Sequence, residues 1–132
     1  MSFLISLDTC IAFVRGAPLV TARVNQHQGS LQTSAVTMMG VALWLLRPGV
    51  PLRQHQGYIA ITQQMTVVAI DEPVAFRAAR LGANLRQGRP RLSPIDLLVV
   101  ATALELGLTL VSHNVQHFSR VPSLSLVEWM VP

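Results

Sequence analysis

The sequence has only six acidic residues, so the places where carboxylates occur are informative. Asp8 directly follows the apolar run at 3–7, and Asp96 lies at the start of an apolar helical pattern. In an open parallel sheet, ligands bind beyond the carboxyl ends of the strands, so both acids could face one crevice. Two carboxylates and water suffice to hold one Mg²⁺ or Mn²⁺ ion, which would activate water and neutralise a phosphoryl oxygen. The two acids therefore indicate metal-assisted chemistry on a phosphate.

Each of these acids also has a purely structural explanation. Asp8 could cap the helix that follows it, and Asp96 could interact with the positive end of a helix dipole. The remaining acids are Asp71, Glu72, Glu105 and Glu128. The spacing by itself leaves the catalytic and the structural explanation open.

Two histidines, His113 and His117, are four residues apart. On a helix this spacing puts both imidazoles on one face, as in some zinc sites. The segment follows a predicted strand and lacks the glutamate of the metalloprotease pattern, so we interpret both as exposed loop residues. The chain also has no glycine-rich phosphate loop, nucleophile elbow or Ser–His–Asp order, which argues against a nucleotide-binding domain of similar topology.

All ten basic residues are arginine, and the formal net charge is +4. Guanidinium groups bind phosphate and carboxylate in bidentate fashion, so we expect RNA, DNA or an acidic protein segment as a partner. Arg77 and Arg80 are predicted to share one helical face. The predicted nucleic-acid-binding residues, which precede Asp96, are Arg86, Arg89 and Arg91. Arginine that only keeps an apolar fold soluble is the alternative explanation.

The length of 132 residues is typical of one domain, so we predict a single domain over 1–132. Hydrophobic residues make up 51% of the chain and charged residues 12%, which excludes a disordered protein. No apolar run approaches the roughly 18 residues of a membrane span, and the N-terminus lacks the basic start of a signal peptide. Cys10 is the only cysteine, so we interpret it as a small buried hydrophobe. These features predict a soluble, cytoplasmic protein.

Strand-like and helix-like segments alternate along the chain. The predicted strands span 3–7, 31–35, 66–70, 108–112 and 125–129. Predicted helices follow Asp8 and span 38–46, 51–64, 71–87 and 93–107, and the one at 38–46 is apolar nearly all round and therefore predicted to be buried. This alternation predicts an α/β fold, in which helices flank a central parallel sheet of four to five strands.

Several segments taken together resemble the PIN-domain family, and within it the VapC-type toxins of bacterial toxin–antitoxin systems. The segment 3–9, FLISLDT, resembles the family's opening strand and first acid, and 33–37, TSAVT, resembles the stretch before its second acid. The most specific segments are SPIDLLVVATAL at 93–104, GLTLVSHN at 107–114 and FSRVPSL at 118–124. The likeness covers essentially the whole chain.

The resemblance implies a three-layer α/β/α domain and an endoribonuclease that depends on Mg²⁺ or Mn²⁺. It also implies a homodimer that acts on RNA and is inhibited by a small antitoxin. Asp8 and Asp96 match two of the family's metal-binding acids. Ser112 and Asn114 match its polar positions after the fourth strand, which orient water or support the site.

Two further acids of the family pattern are absent from this chain. Gly40 stands where the family has a glutamate, and His117 stands where it often has another acid. Fewer carboxylates lower the affinity for a hard divalent cation, and the imidazole of His117 is expected to shift the preference toward Mn²⁺ or Zn²⁺. Two functions therefore stay open: a ribonuclease with weakened metal dependence, and a catalytically inactive domain that binds RNA or an antitoxin. Metal binding at Asp8 and Asp96, with Asp71 as a candidate substitute for a lost acid, would separate them.

Overall fold

The computed structural model describes residues 1–85 and 92–132. The strands within these ranges are β1 (Phe3–Ile5), β2 (Leu31–Ser34), β3 (Thr66–Val68), β4 (Thr109–Val111) and β5 (Leu126–Val127). The helices are α1 (Leu7–Val14), α2 (Pro18–Gln26), α3 (Ala35–Leu45), α4 (Leu52–Gln64), α5 (Glu72–Leu85), α6 (Pro94–Leu106) and α7 (Val115–Phe118). No helix in this part of the chain is long and apolar enough to span a membrane.

The sheet is parallel throughout, with the spatial order β3-β2-β1-β4-β5. The chain adds β2 and β3 on one side of β1 and then returns to add β4 and β5 on the other side. Strand order thus reverses between β1 and β4, where Ile5 is paired with Val111. The crevice beyond the carboxyl ends of such strands is where open α/β sheets bind ligands. The residues that leave these two strands, Ser6 and Ser112, therefore mark the candidate site.

Side chains of β1 alternate between the two faces of the sheet, as the strand pleat requires. Phe3 and Ile5 belong to a core shared with α1, α2, α3 and α4. Leu4 points the other way and packs with side chains of α6 and α7. Helices thus cover both faces, which confirms the predicted three-layer α/β/α architecture.

Helix α3 is less buried than predicted. It packs on the core through Met38 and Val41, whereas Met39 and Leu43 on its other side are exposed. The prediction of a fully buried helix was wrong because an all-round apolar sequence does not show which face the neighbouring elements cover.

The N-terminus of α6 forms as predicted. The Ser93 hydroxyl accepts a hydrogen bond from the backbone N–H of Asp96 at 3.1 Å, and Pro94 occupies the first turn. The helix ends at Leu106 and is capped by Gly107, whose φ of 65° is a left-handed conformation that glycine adopts without strain. The N-terminal cap therefore places Asp96 in the first turn of α6.

Other helix starts differ from the predictions. Helix α1 begins at Leu7 with Ser6 at the N-cap position, so Asp8 lies in the first turn and does not cap the helix. Helix α2, which begins at Pro18, and the short α7 were not predicted, and the predicted end of α5 at 87 lies outside the described residues. The extra turn of α7 matters most, because it follows β4 at the switch point.

Candidate active site

Asp8 lies directly beyond the carboxyl end of β1, in the first turn of α1. Its Oδ1 accepts hydrogen bonds from the hydroxyls of Ser6 at 2.5 Å and Thr9 at 3.0 Å. Its Oδ2 accepts from the Ser112 hydroxyl at 3.2 Å and from the backbone N–H of His113 at 3.0 Å. A carboxylate has about four acceptor positions, so these four donors determine the orientation of Asp8. The side chain is thereby held between the ends of β1 and β4.

Ser112 links the Asp8 carboxylate to the segment that follows β4. Its hydroxyl is buried, donates to Asp8, and accepts from the backbone N–H of Asn114 at 3.0 Å. Asn114 is exposed and occupies the N-cap position of α7 without a side-chain cap hydrogen bond. Of the two predicted polar residues, Ser112 therefore supports Asp8 through its side chain, and Asn114 takes part through its backbone.

Asp96 is paired with His117. The carboxylate lies in the first turn of α6, and its Oδ2 is 2.9 Å from Nε2 of His117 on α7. The exposed fractions of the two side chains are 33% and 21%. The interpretation of His117 as an exposed loop residue was wrong, because the segment after β4 forms a helical turn that brings the ring against Asp96.

One short segment, 112–117, contacts both acids. It begins at Ser112 beside Asp8 and ends at His117 beside Asp96. The segment follows β4, which is paired with β1 at the centre of the sheet. The two acids, 88 positions apart in the numbering, are thus brought to the same end of the sheet by this segment.

The two histidines do not share a partner. Nδ1 of His113 lies 2.8 Å from Oε2 of Glu128, whose Oε1 also accepts from the backbone N–H of Met130 at 2.6 Å. The spacing of four residues therefore does not produce a common histidine site. Over 1–85 and 92–132, no group of three or more His, Cys, Asp or Glu side chains is arranged to hold a metal ion.

Gly40 supplies no carboxylate, and the carboxylate of Asp71 is bonded at the start of α5. A Cβ atom built at Gly40 would be 2.9 Å from Cδ1 of Leu7, so a larger residue there requires the end of the Leu7 side chain to shift. Asp71 accepts a hydrogen bond from the backbone N–H of Val74 at 3.1 Å and so caps α5. The candidate substitute acid thus has a structural role.

Arg77 and Arg80 line one open groove, as their predicted shared face implies. Nη1 of Arg77 is 2.9 Å from Oε2 of Glu105. Glu105 lies about 13 Å beyond Asp96 along α6, at 1.5 Å per residue, so this ion pair is at the far end of that helix. The predicted nucleic-acid-binding residues Arg86, Arg89 and Arg91 lie outside the described residues.

Cys10 packs behind Asp8 in the core, as predicted for a small buried hydrophobe. Its Sγ lies 3.8 Å from the carbonyl oxygen of Ile5 and 3.7 Å from Oγ1 of Thr33. Burial raises the pKa of the Cys10 thiol to about 12, the Thr33 contact opposes that rise, and the Asp8 charge adds to it. A protonated, enclosed thiol is a poor nucleophile, so Cys10 supports the site by packing alone.

The family model described as PIN domain matches residues 5–124. The chain is 24% identical over 131 residues to the tRNA(fMet)-specific endonuclease VapC of Salmonella typhimurium, with 98% of each chain covered. It is 22% identical to ribonuclease VapC2 of Haemophilus influenzae, over 98% of this chain and 99% of that one.

Several solved structures of similar fold are toxin–antitoxin complexes. DNA-bound VapBC from Salmonella typhimurium has a TM-score of 0.88 at 22% identity, with 98% of each chain covered. VapBC2 from Rickettsia felis, bound to a promoter fragment, has a TM-score of 0.88 at 16% identity, over 98% of this chain and 99% of that one. These findings confirm the predicted fold and the resemblance to VapC-type toxin domains.

Proposed function

Because the chain belongs to the PIN-domain family, we propose that it is an endoribonuclease of the VapC toxin type, which hydrolyses phosphodiester bonds in RNA. The observation that carries the proposal is the Asp8 carboxylate, oriented by four donors at the switch point of the sheet. The segment 112–117, which contacts Asp8 through Ser112, also contacts Asp96 through His117. Two carboxylates at one edge suit chemistry on a phosphate, because they can bind the cation that phosphoryl transfer needs.

Nucleases of this family generally depend on a divalent metal. In this chain Asp8 and Asp96 would hold one Mg²⁺ or Mn²⁺ ion, since hard cations take carboxylate oxygens and complete their shell with water and substrate phosphate. When bound, such an ion lowers the pKa of water and neutralises phosphate charge. The described residues hold no group of three metal-ligating side chains, so water and substrate phosphate would have to fill most positions around such an ion.

Residues of the chain itself have distinct roles in this proposal. Ser112 and the backbone N–H of His113 keep the Asp8 carboxylate aimed into the crevice. Asn114 binds Ser112 through its backbone, and its exposed side chain is available to position water or RNA. A homodimer and a small antitoxin partner are part of the same proposal, and the toxin–antitoxin complexes of similar fold support the antitoxin partner.

The first test is RNA cleavage by the wild type, Asp8→Asn and Asp96→Asn in Mg²⁺ and in Mn²⁺. Asparagine at position 8 removes the charge but keeps the contacts, because the Ser6 and Thr9 hydroxyls can accept from its amide. Both substitutions are expected to reduce cleavage by about 100-fold or more, since even supporting residues around a metal contribute 10–100-fold. Ser119→Ala, which removes an exposed hydroxyl bonded to the Gln116 carbonyl, is the matched control.

An inactive domain that binds an antitoxin or RNA is the second candidate. The observations that favour it are Gly40 beneath Leu7 and the engagement of Asp96 by His117. It predicts that purified protein leaves RNA intact in either metal, while it still binds RNA or an antitoxin. Cleavage that survives Asp8→Asn unchanged would contradict the ribonuclease proposal, since a contaminating nuclease behaves that way.

A further inference from the structure

We propose that His117 competes with a divalent cation for Asp96, so that the ion binds the free protein more tightly once the imidazole is displaced. The inference rests on the proposed function only in taking Asp96 as a cation ligand. It concerns binding and not cleavage, so it is tested without RNA.

The inference rests on the direct contact between His117 and Asp96. Nε2 of His117 is 2.9 Å from Oδ2 of Asp96, a full hydrogen bond. This nitrogen therefore occupies a direction from which a cation would approach that oxygen. A ring nitrogen cannot turn away from its acceptor unless the whole imidazole moves.

The ring is also held in place from behind. Phe118, the next residue of α7, is buried in the core with Leu4. The His117 and Phe118 rings meet edge to face, with centroids 5.0 Å apart. Displacing the imidazole therefore means moving it against an anchored helical turn.

Asp8 presents no comparable obstacle. Three of its four donors are hydroxyls, which belong to Ser6, Thr9 and Ser112. A hydroxyl can rotate its hydrogen away and present a lone pair to the cation. The competition we propose thus acts at Asp96 alone, and Gly40 and Asp71 supply no further carboxylate to offset it.

The experiment is calorimetric titration of Mg²⁺ and of Mn²⁺ into the wild type, His117→Ala, His117→Leu and His117→Gln at one fixed pH. Alanine and leucine both remove the donor, and leucine keeps most of the side-chain volume in case alanine loosens α7. Glutamine keeps a donor for Asp96. Removing one hydrogen bond is expected to raise cation affinity about tenfold in the alanine and leucine variants, and to leave glutamine near the wild type.

A second arm ties the gain to Asp96. In His117→Leu combined with Asp96→Asn, the gain in affinity should disappear. His117→Asp, which adds a carboxylate as well as removing the imidazole, should bind more tightly than His117→Leu. Affinity that stays equal or falls in both the alanine and leucine variants overturns the inference, because His117 would then be a bystander or a ligand. A gain in binding without any RNA cleavage would support the inference and count against the proposed function.

Discussion

The two acids of the candidate site are held in different ways. Asp8 is fixed by four donors, two from the start of α1 and two from the segment that follows β4. Asp96 has its partner on a single turn of helix, and both members of that pair are partly exposed. The Asp8 half is therefore part of the framework of the sheet. The Asp96 half is a single, partly exposed contact outside that framework.

The largest expected difference between the halves is in stability. Asp8→Ala should lower the free energy of unfolding by about 2–3 kcal/mol, because it leaves the hydroxyls of Ser6 and Ser112 and the N–H of His113 without an acceptor. Asp96→Ala should lower it by less than about 1 kcal/mol, the value of a helix-dipole contact and an exposed pair. Urea denaturation of both variants measures the two costs. Equal costs would mean that the halves are not held differently.

The second largest effect is expected at Ser112, which connects Asp8 to the segment that carries His117. Ser112→Ala removes the buried hydroxyl that joins Asp8 to Asn114, and should cost about 1–2 kcal/mol of stability. Cleavage should slow about tenfold, since Asp8 loses a donor that orients it. Ser119→Ala serves as the control, and its unfolding free energy should change by less than about 0.5 kcal/mol. A Ser112 variant as stable as this control would remove the structural role assigned to Ser112.

The core behind Asp8 can be probed through pH. Burial raises the pKa of Cys10 from 9.0 to about 12. Above pH 9 the unfolded chain loses a proton that the folded protein keeps, so stability falls as pH rises toward 12. Between pH 9 and 10 the loss should be about 1 kcal/mol. The control is Cys10→Ala, whose free energy of unfolding should lack this decrease between pH 9 and 10. If the free energy of unfolding falls equally with pH in both proteins, the thiol is not buried in the folded state.

The smallest effect is expected at the outer edge of the site. Glu128→Gln keeps an acceptor for the N–H of Met130 and a donor for Nδ1 of His113. Stability should change by less than about 0.5 kcal/mol, as for other partly exposed ion pairs, and RNA cleavage should not change. If Glu128→Gln slows cleavage as much as Ser112→Ala does, Glu128 also helps to hold the Asp8 side of the site.

Several features were determined by the sequence alone. Alternating strand and helix patterns gave the α/β class, and the Ser93, Pro94 and Gly107 signals located α6 and its first-turn acid. The strand pattern at the N-terminus also predicted that Asp8 follows β1 at the start of a helix. The residue at the N-cap position is Ser6, however, and not Asp8. These features are local, because caps and strand exits depend on residues close in the chain.

Other features were decided only by the tertiary structure. The helical turn α7 brings His117 against Asp96, a contact between residues 21 positions apart that no periodicity predicts. The exposed side of α3 depends on which elements pack beside it, and its sequence is apolar on all sides. The order of the strands and the packing of the helices determine which distant side chains come into contact. The contact between Asp96 and the His117 imidazole is therefore a property of the fold, even though both residues can be read from the sequence.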